Sequence, residues 1–321
     1  MTTLSLEVMN DYLSSSITSN RKTGQLNRNK LNGLLAEIDF REYLNTLGFA
    51  ERISVGGWIA RSVGAGNFGV ETVAMFPETI FPNQDYSPTR TLTNPSHGLH
   101  TICSTFHQIG IRSYFCTPSI HNINDTHTIS WKAVQLGLPT EQNYYDFPDN
   151  INGFSNRSRR YNFLGYETDV SEIPSRAIPE EFTKEHLRVT FQNRYMQETS
   201  DIDGILWGNQ FTYPIEIKEK TPAPDSALGE YFGLDLGPFV KLAYYASKRG
   251  NLHSLFIVRE IDNTEDRNLV NWWFIPFEKL ARYASWVPRA GGKNMVGGAS
   301  AVVKIPKNQF EELNRNTINQ L

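Results

Sequence analysis

Two acidic residues and a lysine stand at a spacing that suits phosphodiester chemistry. Asp203-Gly204 is followed, thirteen residues after the aspartate, by Glu216-Ile217-Lys218. Side chains alternate between the two faces of a β-strand, so Glu216 and Lys218 are expected to project from one face. A turn at Gly208-Asn209 would return the chain and place Asp203 beside Glu216. The sequence therefore predicts two carboxylates and an ammonium group at one point.

The chemistry of this trio follows from its charges. Two neighbouring carboxylates repel each other and favour a cation between them. Oxygen ligands of this kind suit Mg²⁺, which can polarise a phosphoryl oxygen, orient a water and stabilise a leaving oxyanion. Lys218 could stabilise negative charge in the transition state or assist deprotonation of the water. The pattern thus predicts Asp203 and Glu216 as metal ligands, Mg²⁺ as the cofactor and phosphodiester hydrolysis as the reaction.

The elements that would position these residues can be predicted from apolar periodicity and turn residues. Helices are predicted over 180–197, over 238–248 and from about 277, and strands over 201–207, 211–218, 253–259 and 270–276. A loop rich in proline and glycine is predicted up to residue 236. The expected fold class is α/β of the α+β kind, with a mixed β-sheet flanked by helices.

This arrangement resembles the PD-(D/E)XK nuclease superfamily, through Asp203, the Glu216-Ile217-Lys218 element and the order of elements over residues 180–276. The resemblance implies a restriction-endonuclease-like core. In that family the helix before the first strand often supplies another acid. Glu185 is preferred here as this third metal ligand, and Glu198 is the other candidate.

Two further points depend on the same resemblance. The helix after the ExK strand faces the active site in this family, which brings Lys241 near the DNA. The position before Asp203 is Ile202 and not proline, and many members of the superfamily also lack that proline. Asp201 would share the strand face of Asp203, so it remains the alternative metal ligand.

The length of the chain favours a type II restriction endonuclease within this superfamily. Residues 171–321 are predicted to form the catalytic domain and residues 1–170 an N-terminal DNA-recognition region. In the latter, helices are predicted over 3–16 and 26–47, with Gly48 as a stop, and mixed strands and loops over 52–165. The resemblance implies sequence-specific cleavage of double-stranded DNA by a homodimer, products with 5′-phosphate and 3′-hydroxyl ends, and a partner methyltransferase.

Candidate DNA contacts lie in the densest basic stretch of the first half. Arg157, Arg159 and Arg160 can hold phosphates or read guanine in the major groove. Lys241 is the fourth candidate. The alternative for the three arginines is a solvated linker between the two regions.

A second cluster offers different chemistry. Residues 97–127 contain both cysteines, Cys103 and Cys116, and five of the seven histidines. Zinc uses such ligands, so a structural zinc site is one interpretation. The other is that both cysteines are small core residues and the histidines are ordinary polar residues.

Composition excludes several classes of protein. The chain has 321 residues, of which 39% are hydrophobic, and carries 31 Lys+Arg against 34 Asp+Glu, a formal net charge of −3. This composition excludes wholesale disorder and a generic polycation that coats nucleic acid. Neither a transmembrane segment nor a signal peptide is predicted, so we expect a cytoplasmic protein with no membrane partner.

Three other functions fit parts of this sequence. A structure-directed repair or junction nuclease would use the same carboxylates but cut by DNA shape. A non-catalytic DNA-binding module would keep the fold and never cut. A zinc-stabilised regulator would use the cysteine and histidine cluster and contain stoichiometric zinc.

Overall fold

Helices are separated by runs of two to four strands in most of the part of the chain that the computed structural model describes. That part is residues 4–20, 25–62, 72–123, 125–136, 144–147, 155–156, 171–248, 250–290 and 301–321. The α-helices, labelled α1 to α7 in chain order, are Leu6–Ile17, Arg28–Thr46, His97–Gln108, Ile178–Arg194, Leu236–Ser247, Phe277–Tyr283 and Arg315–Gln320. The strands, labelled β1 to β17, are Thr18–Asn20, Gln25–Leu26, Ile53–Ser62, Thr72–Pro77, Arg112–Ile120, Ile129–Leu136, Tyr145–Phe147, Ser155–Asn156, Tyr195–Trp207, Thr212–Lys220, Ala223–Asp225, Gly229–Asp235, Leu255–Ile261, Leu269–Pro276, Arg289–Ala290, Ala301–Pro306 and Glu311–Glu312.

The chain divides into two compact units, and each unit is built from two separate segments. The first unit comprises residues 1–31 and 56–202, and the second comprises residues 32–55 and 203–321. These bounds differ from the predicted division at residue 170. The difference arises because α2, early in the chain, belongs mostly with the strands that follow residue 203.

The second unit contains the predicted hairpin within a mixed sheet. Its strands lie in the order β17-β14-β13-β10-β9. Strand β10 runs antiparallel to β9 and parallel to β13, while β14 is antiparallel to both β13 and β17. A parallel pair needs a crossover connection, and here the connection contains α5. A separate sheet of the same unit has the order β11-β12-β16-β15.

Alternating side chains of β10 and β13 divide the core of the second unit into two layers. One layer contains Ile215, Ile217, Leu255 and Ile257, together with Ala36, Phe40 and Leu44 of α2. The other contains Phe256 and Val258, together with Leu242 of α5 and the apolar residues of β12 and β16. Helices therefore flank the mixed sheet, as the α/β fold class predicts.

Within the first unit the strands pair in a mixed arrangement. Strand β4 is antiparallel to β3 and parallel to β5, and β6 is antiparallel to both β5 and β7. Helix α3 lies in the connection between the parallel strands. Helix α4 packs on α1, where the rings of Tyr12 and Phe182 meet edge to face with centroids 5.1 Å apart.

Most predicted elements are present with shifted ends, and two regions differ. Helix α2 ends before Gly48, whose φ of 83° suits glycine, as the sequence predicts. The predicted loop before residue 236 contains β11 and β12, because Phe232 and Leu234 lie on one face of β12 and pack in the core. The predicted strand and loop region contains helix α3, whose buried Ile102, Cys103 and Phe106 share one face.

No helix in the described ranges is both long enough and apolar enough to cross a membrane.

Candidate active site

The β9–β10 hairpin brings Asp203 and Glu216 to neighbouring positions. Gly208 N–H donates to the carbonyl of Phe211 at 2.9 Å, which closes the predicted turn. The ladder then pairs Thr212 with Trp207 and continues to Ile215 opposite Gly204. The ladder ends there, and the Ile217 N–H donates to the Asp203 side chain instead, which places Asp203 beside the Glu216-Ile217 segment. Asp203 and Glu216 are almost fully buried, with 2% and 1% of their surfaces exposed.

Asp203 is fixed by the strand that carries the Glu-Ile-Lys sequence. Its Oδ2 accepts a hydrogen bond of 2.7 Å from the Ile217 N–H. Gly204 allows this close approach, because a Cβ there would lie 3.1 Å from Ile215 Cδ1 and 3.2 Å from Ile53 Cδ1. The position of the Asp203 carboxylate therefore depends on β10 and on the absence of a side chain at residue 204.

Both carboxylate oxygens of Glu216 are engaged by lysines. Lys218 Nζ lies 2.6 Å from Glu216 Oε1, and Lys241 Nζ of α5 lies 2.5 Å from Glu216 Oε2. The Lys218 side chain is 31% exposed and that of Lys241 only 10%. The sequence predicts both lysines near the site, and the structure brings them to one buried carboxylate.

A third lysine follows on the same strand face. Lys220 lies two residues beyond Lys218 on β10, and burial lowers the pKa of Lys220, while the nearby Asp235 opposes that shift. Because positive charge accumulates here, this face of the strand is suited to an anionic substrate.

Sequence reasoning missed Glu37. One carboxylate oxygen of Glu37, on α2, lies within 4.8 Å of one from Asp203 in the same unit. Helix α2 was predicted from its apolar residues, but nothing in its local pattern distinguishes Glu37 from other acidic positions on that helix. In the PD-(D/E)XK superfamily a helix before the first strand often supplies another acid. A search for that helix far upstream in the chain, at α2, would have included Glu37.

Asp201 remains the alternative to Asp203. It lies two residues earlier on β9. The choice between them stays a prediction. The burial of Asp203 and its hydrogen bond to Ile217 support Asp203.

Glu185, predicted as the third metal ligand, is held by two cations of the first unit. Lys30 Nζ lies 3.1 Å from Glu185 Oε1, and Arg188 Nε donates to Oε2 at 2.9 Å. Burial alone would raise the pKa of Glu185, but these two cations outweigh it and lower the pKa to about 2. Glu198, the other candidate, pairs with Arg61. Glu37 therefore takes the place of Glu185 in the ligand set considered below.

The remaining predicted residues have different outcomes. Arg157, Arg159 and Arg160 lie outside the described residues. Cys103 and Cys116 are buried and free, and burial raises the pKa of Cys103 to about 12. Across the described ranges, the cysteines and histidines do not place three ligand atoms within 4.8 Å of one another. The burial of both cysteines and the absence of such a ligand group among the described residues favour the interpretation of both cysteines as core residues over a zinc site.

The donor set suits a hard divalent cation. The second unit contributes Glu37 and Asp203, whose carboxylate oxygens lie within 4.8 Å of each other, whereas Glu216 is not part of this group. Carboxylate oxygens are the ligands that Mg²⁺ prefers. Two oxygens on opposite sides of an octahedral Mg²⁺ are about 4.2 Å apart, given metal–oxygen distances near 2.1 Å. The separation of the Glu37 and Asp203 oxygens is compatible with that span.

Comparisons with known proteins identify no relative: no family model, no curated protein and no solved structure matches the chain.

Proposed function

We propose that the chain is a Mg²⁺-dependent endonuclease that cleaves double-stranded DNA at a defined sequence, in the manner of a type II restriction enzyme of the PD-(D/E)XK superfamily. The observation that supports this proposal is the hydrogen bond by which the Asp203 carboxylate joins the strand of Glu216-Ile217-Lys218, at the Ile217 N–H. An ordinary surface hairpin would leave its alternating charges in solvent. Here both carboxylates are almost fully buried, and two lysines contact one of them.

The metal would be held by Asp203, Glu216 and Glu37. When bound, Mg²⁺ would supply Lewis-acid stabilisation of the phosphoryl oxygens and lower the pKa of a water. The burial of Asp203 and Glu216 favours this role, because buried carboxylates in proteins are normally paired with cations or hydrogen-bond donors.

The protein side chains contribute position and charge. The Ile217 N–H holds Asp203 in place through its hydrogen bond to Oδ2. Lys218 is the more exposed of the two lysines on Glu216, so its ammonium can reach a phosphate that approaches from solvent. There it would stabilise negative charge that develops during hydrolysis.

The first unit is available for DNA recognition, since the second unit alone contains Glu37, Asp203, Glu216 and both lysines. We propose that the chain binds a palindromic site as a homodimer, because a two-fold protein matches a two-fold site. Arg157, Arg159 and Arg160 remain the proposed contacts from the basic stretch. A cognate DNA methyltransferase would protect the host sites.

The test is cleavage of unmethylated plasmid and phage DNA by purified protein, with Mg²⁺ or with EDTA. Lys218→Ala is the diagnostic variant. Lys279→Ala is its matched control, because Lys279 also pairs with a glutamate, Glu311 at 3.0 Å, but on the surface. Discrete fragments are expected with Mg²⁺ from the wild type and from Lys279→Ala, and no fragments from Lys218→Ala.

The other outcomes separate the competing functions. A smear of products would favour a nuclease without sequence specificity. Cleavage confined to branched substrates would favour a junction nuclease. Tight DNA binding without cleavage of several unmethylated DNAs would contradict the proposal and favour the binding module.

A further inference from the structure

An apolar tip in the second unit, residues 286–288, stands in solvent. Trp286 is 91% exposed and Val287 60% exposed, and Pro288 is exposed as well. All six tryptophans of the chain lie in the described ranges, and the other five are buried or half-buried. Three consecutive exposed apolar residues that include a tryptophan indicate a surface that contacts a partner.

Strand β16 fixes the backbone on both sides of this apolar tip. The Ser285 N–H donates to the Lys304 carbonyl at 2.8 Å, and the Lys304 N–H donates to Ser285 Oγ at 2.9 Å. After the tip, Arg289 pairs with Val302 in the β15–β16 ladder. A partner that binds the tip therefore meets a backbone that is already ordered.

Two exposed arginines flank the apolar tip. Arg282 lies four residues before Trp286, and Arg289 lies three residues after it. Neither arginine forms an ion pair with another described residue, including Glu278 one helical turn before Arg282. The Arg282 guanidinium lies over the ring of Tyr283, 5.5 Å from its centroid. Both charges are therefore available to an anionic partner.

Acidic residues near the tip are absent or already beside a lysine. Residues 279–310 contain six Lys and Arg and no Asp or Glu. The neighbouring strands β11 and β12 carry three acids, and each lies beside a lysine: Asp225 beside Lys304, Glu230 beside Lys307 and Asp235 beside Lys220. The charge that faces solvent at the tip is therefore positive.

The chemistry of the tip favours DNA over a second copy of the chain. An aromatic ring can stack on any base, and apolar side chains can insert at a base step while arginines contact the adjacent phosphates. In a two-fold dimer the same surface meets itself. Arg282 and Arg289 would then approach the same arginines of the other copy, and like charges repel.

We infer that residues 282–289 form a DNA-binding surface of the second unit, in which Trp286 stacks on a base and Arg282 and Arg289 hold neighbouring phosphates. Helix α6, which precedes the tip, packs on α5 through the rings of Phe239 and Phe277, 5.4 Å apart. Helix α5 also supplies Lys241 to Glu216. The inference rests on the DNA-binding part of the proposed function and adds a contact that does not depend on sequence.

The experiment measures binding of the full-length chain to a fluorescein-labelled duplex of random sequence, in EDTA, by anisotropy over a series of salt concentrations. Trp286→Ala is expected to weaken binding about tenfold with an unchanged salt slope, and Trp286→Phe to retain most of the affinity. Arg282→Ala and Arg289→Ala should each reduce the slope of log K against log salt by about one.

The matched controls come from the same unit. Val270→Ala changes an apolar side chain that is 56% exposed, and Arg315→Ala removes an exposed arginine of α7. Both should bind as the wild type. Acrylamide quenching provides a second readout, because Trp286 is the exposed tryptophan. Duplex DNA should protect wild-type fluorescence from acrylamide and have little effect on Trp286→Phe.

The outcomes separate this inference from the proposed function. A wild type that cuts DNA, with unchanged affinity in Trp286→Ala and no protection from acrylamide, would overturn the inference alone. Protection that rises with protein concentration without DNA, together with a dimer that Trp286→Ala dissociates in sedimentation, would overturn it in favour of self-association. Binding that depends on Trp286 without cleavage would support the inference and contradict the endonuclease. A wild type that neither binds nor cuts DNA would overturn both.

Discussion

The Asp203 carboxylate accepts a hydrogen bond from β10 that a backbone carbonyl of β9 would otherwise accept. The ladder between β9 and β10 pairs Ile215 with Gly204, and just beyond it the Ile217 N–H donates to the Asp203 side chain. A buried N–H without an acceptor would be destabilising, so this side chain allows the two strands to part without loss of a hydrogen bond. The point where they part is where the acidic residues gather.

Replacement of Glu37 and replacement of Glu185 are expected to have different effects on metal affinity and on stability. Glu37→Gln is expected to weaken Mn²⁺ binding by about tenfold or more, because it removes a charged ligand beside Asp203. Glu185→Gln should leave Mn²⁺ affinity unchanged. It should instead lower the free energy of unfolding by about 3 kcal/mol, because Lys30 and Arg188 would lose the negative charge between them.

Calorimetric Mn²⁺ titration and urea unfolding of both variants would check this pair of expectations. The reverse pattern, with metal affinity lost in Glu185→Gln and kept in Glu37→Gln, would restore the ligand set predicted from the sequence.

At the scale of elements, turn residues and apolar periodicity predicted the helices and strands whose formation depends on residues close in sequence. The Gly208-Asn209 turn, the alternation in β10 and the apolar faces of α2 and α5 depend on residues close in sequence, and all are present. Glu37 could not be chosen in this way. Its place beside Asp203 depends on packing between segments far apart in the chain, and periodicity carries no information about such packing.

Gly204 is the residue on which the hairpin geometry can be tested. Gly204→Ala is expected to reduce the free energy of unfolding by about 1–3 kcal/mol, because the new Cβ would press on Ile215 Cδ1 and Ile53 Cδ1. Ile215→Val deletes the closer of these atoms at an expected loss of about 1 kcal/mol by itself. The double variant should therefore lose less than the two single losses combined, as urea denaturation of all four proteins would show. Strict additivity would mean that the Cβ is accommodated elsewhere.

Helix α4 carries a buried histidine that should make stability sensitive to acid. The indole N–H of Trp131 donates to His186 Nδ1 at 3.1 Å, so the ring proton is on Nε2, which donates to the Thr126 carbonyl at 2.8 Å. Burial lowers the pKa of His186 to about 4 from an ordinary value of 6.5. As the pH falls below 6.5 the unfolded chain binds a proton that the folded chain does not, so stability falls until about pH 4.

The expected loss from this residue is roughly 3 kcal/mol between pH 6.5 and pH 4, measured as free energy of unfolding in urea. His186→Asn should lack this step, whereas His107→Asn, a change of an exposed histidine on α3, should retain it. Glu185 adds a separate step at lower pH, since its depressed pKa means that its stabilisation is lost from about pH 4.5 to pH 2. An unchanged slope in His186→Asn would assign the acid sensitivity to other groups.

At the scale of the whole molecule, the second unit needs a helix from the start of the chain. Phe40 packs against Trp272 with ring centroids 5.2 Å apart, and the Tyr43 hydroxyl donates to the Leu313 carbonyl at 2.6 Å. A catalytic domain that begins at residue 171 would lack Phe40 and Tyr43. Each buried leucine or aromatic contributes roughly 2 kcal/mol, which is a large share of a typical domain's stability.

A fragment of residues 171–321 is therefore expected not to unfold cooperatively. A rearranged chain, with residues 203–321 joined by a flexible linker to residues 32–55, should unfold as one cooperative transition in circular dichroism. The same chain with Phe40→Ala should be less stable by about 3–5 kcal/mol. A cooperatively folded 171–321 fragment would show that α2 is dispensable.

The division of the second unit between two segments also governs when it can assemble during synthesis. Glu37 leaves the ribosome early, whereas Asp203, Glu216 and both lysines follow only after the whole of the first unit. A chain released anywhere between residues 56 and 202 has the helix but lacks Asp203 and the whole of β10. If the chain is the nuclease proposed above, premature termination in that interval yields a product that cannot cut DNA, so an interrupted round of translation does not endanger the host chromosome.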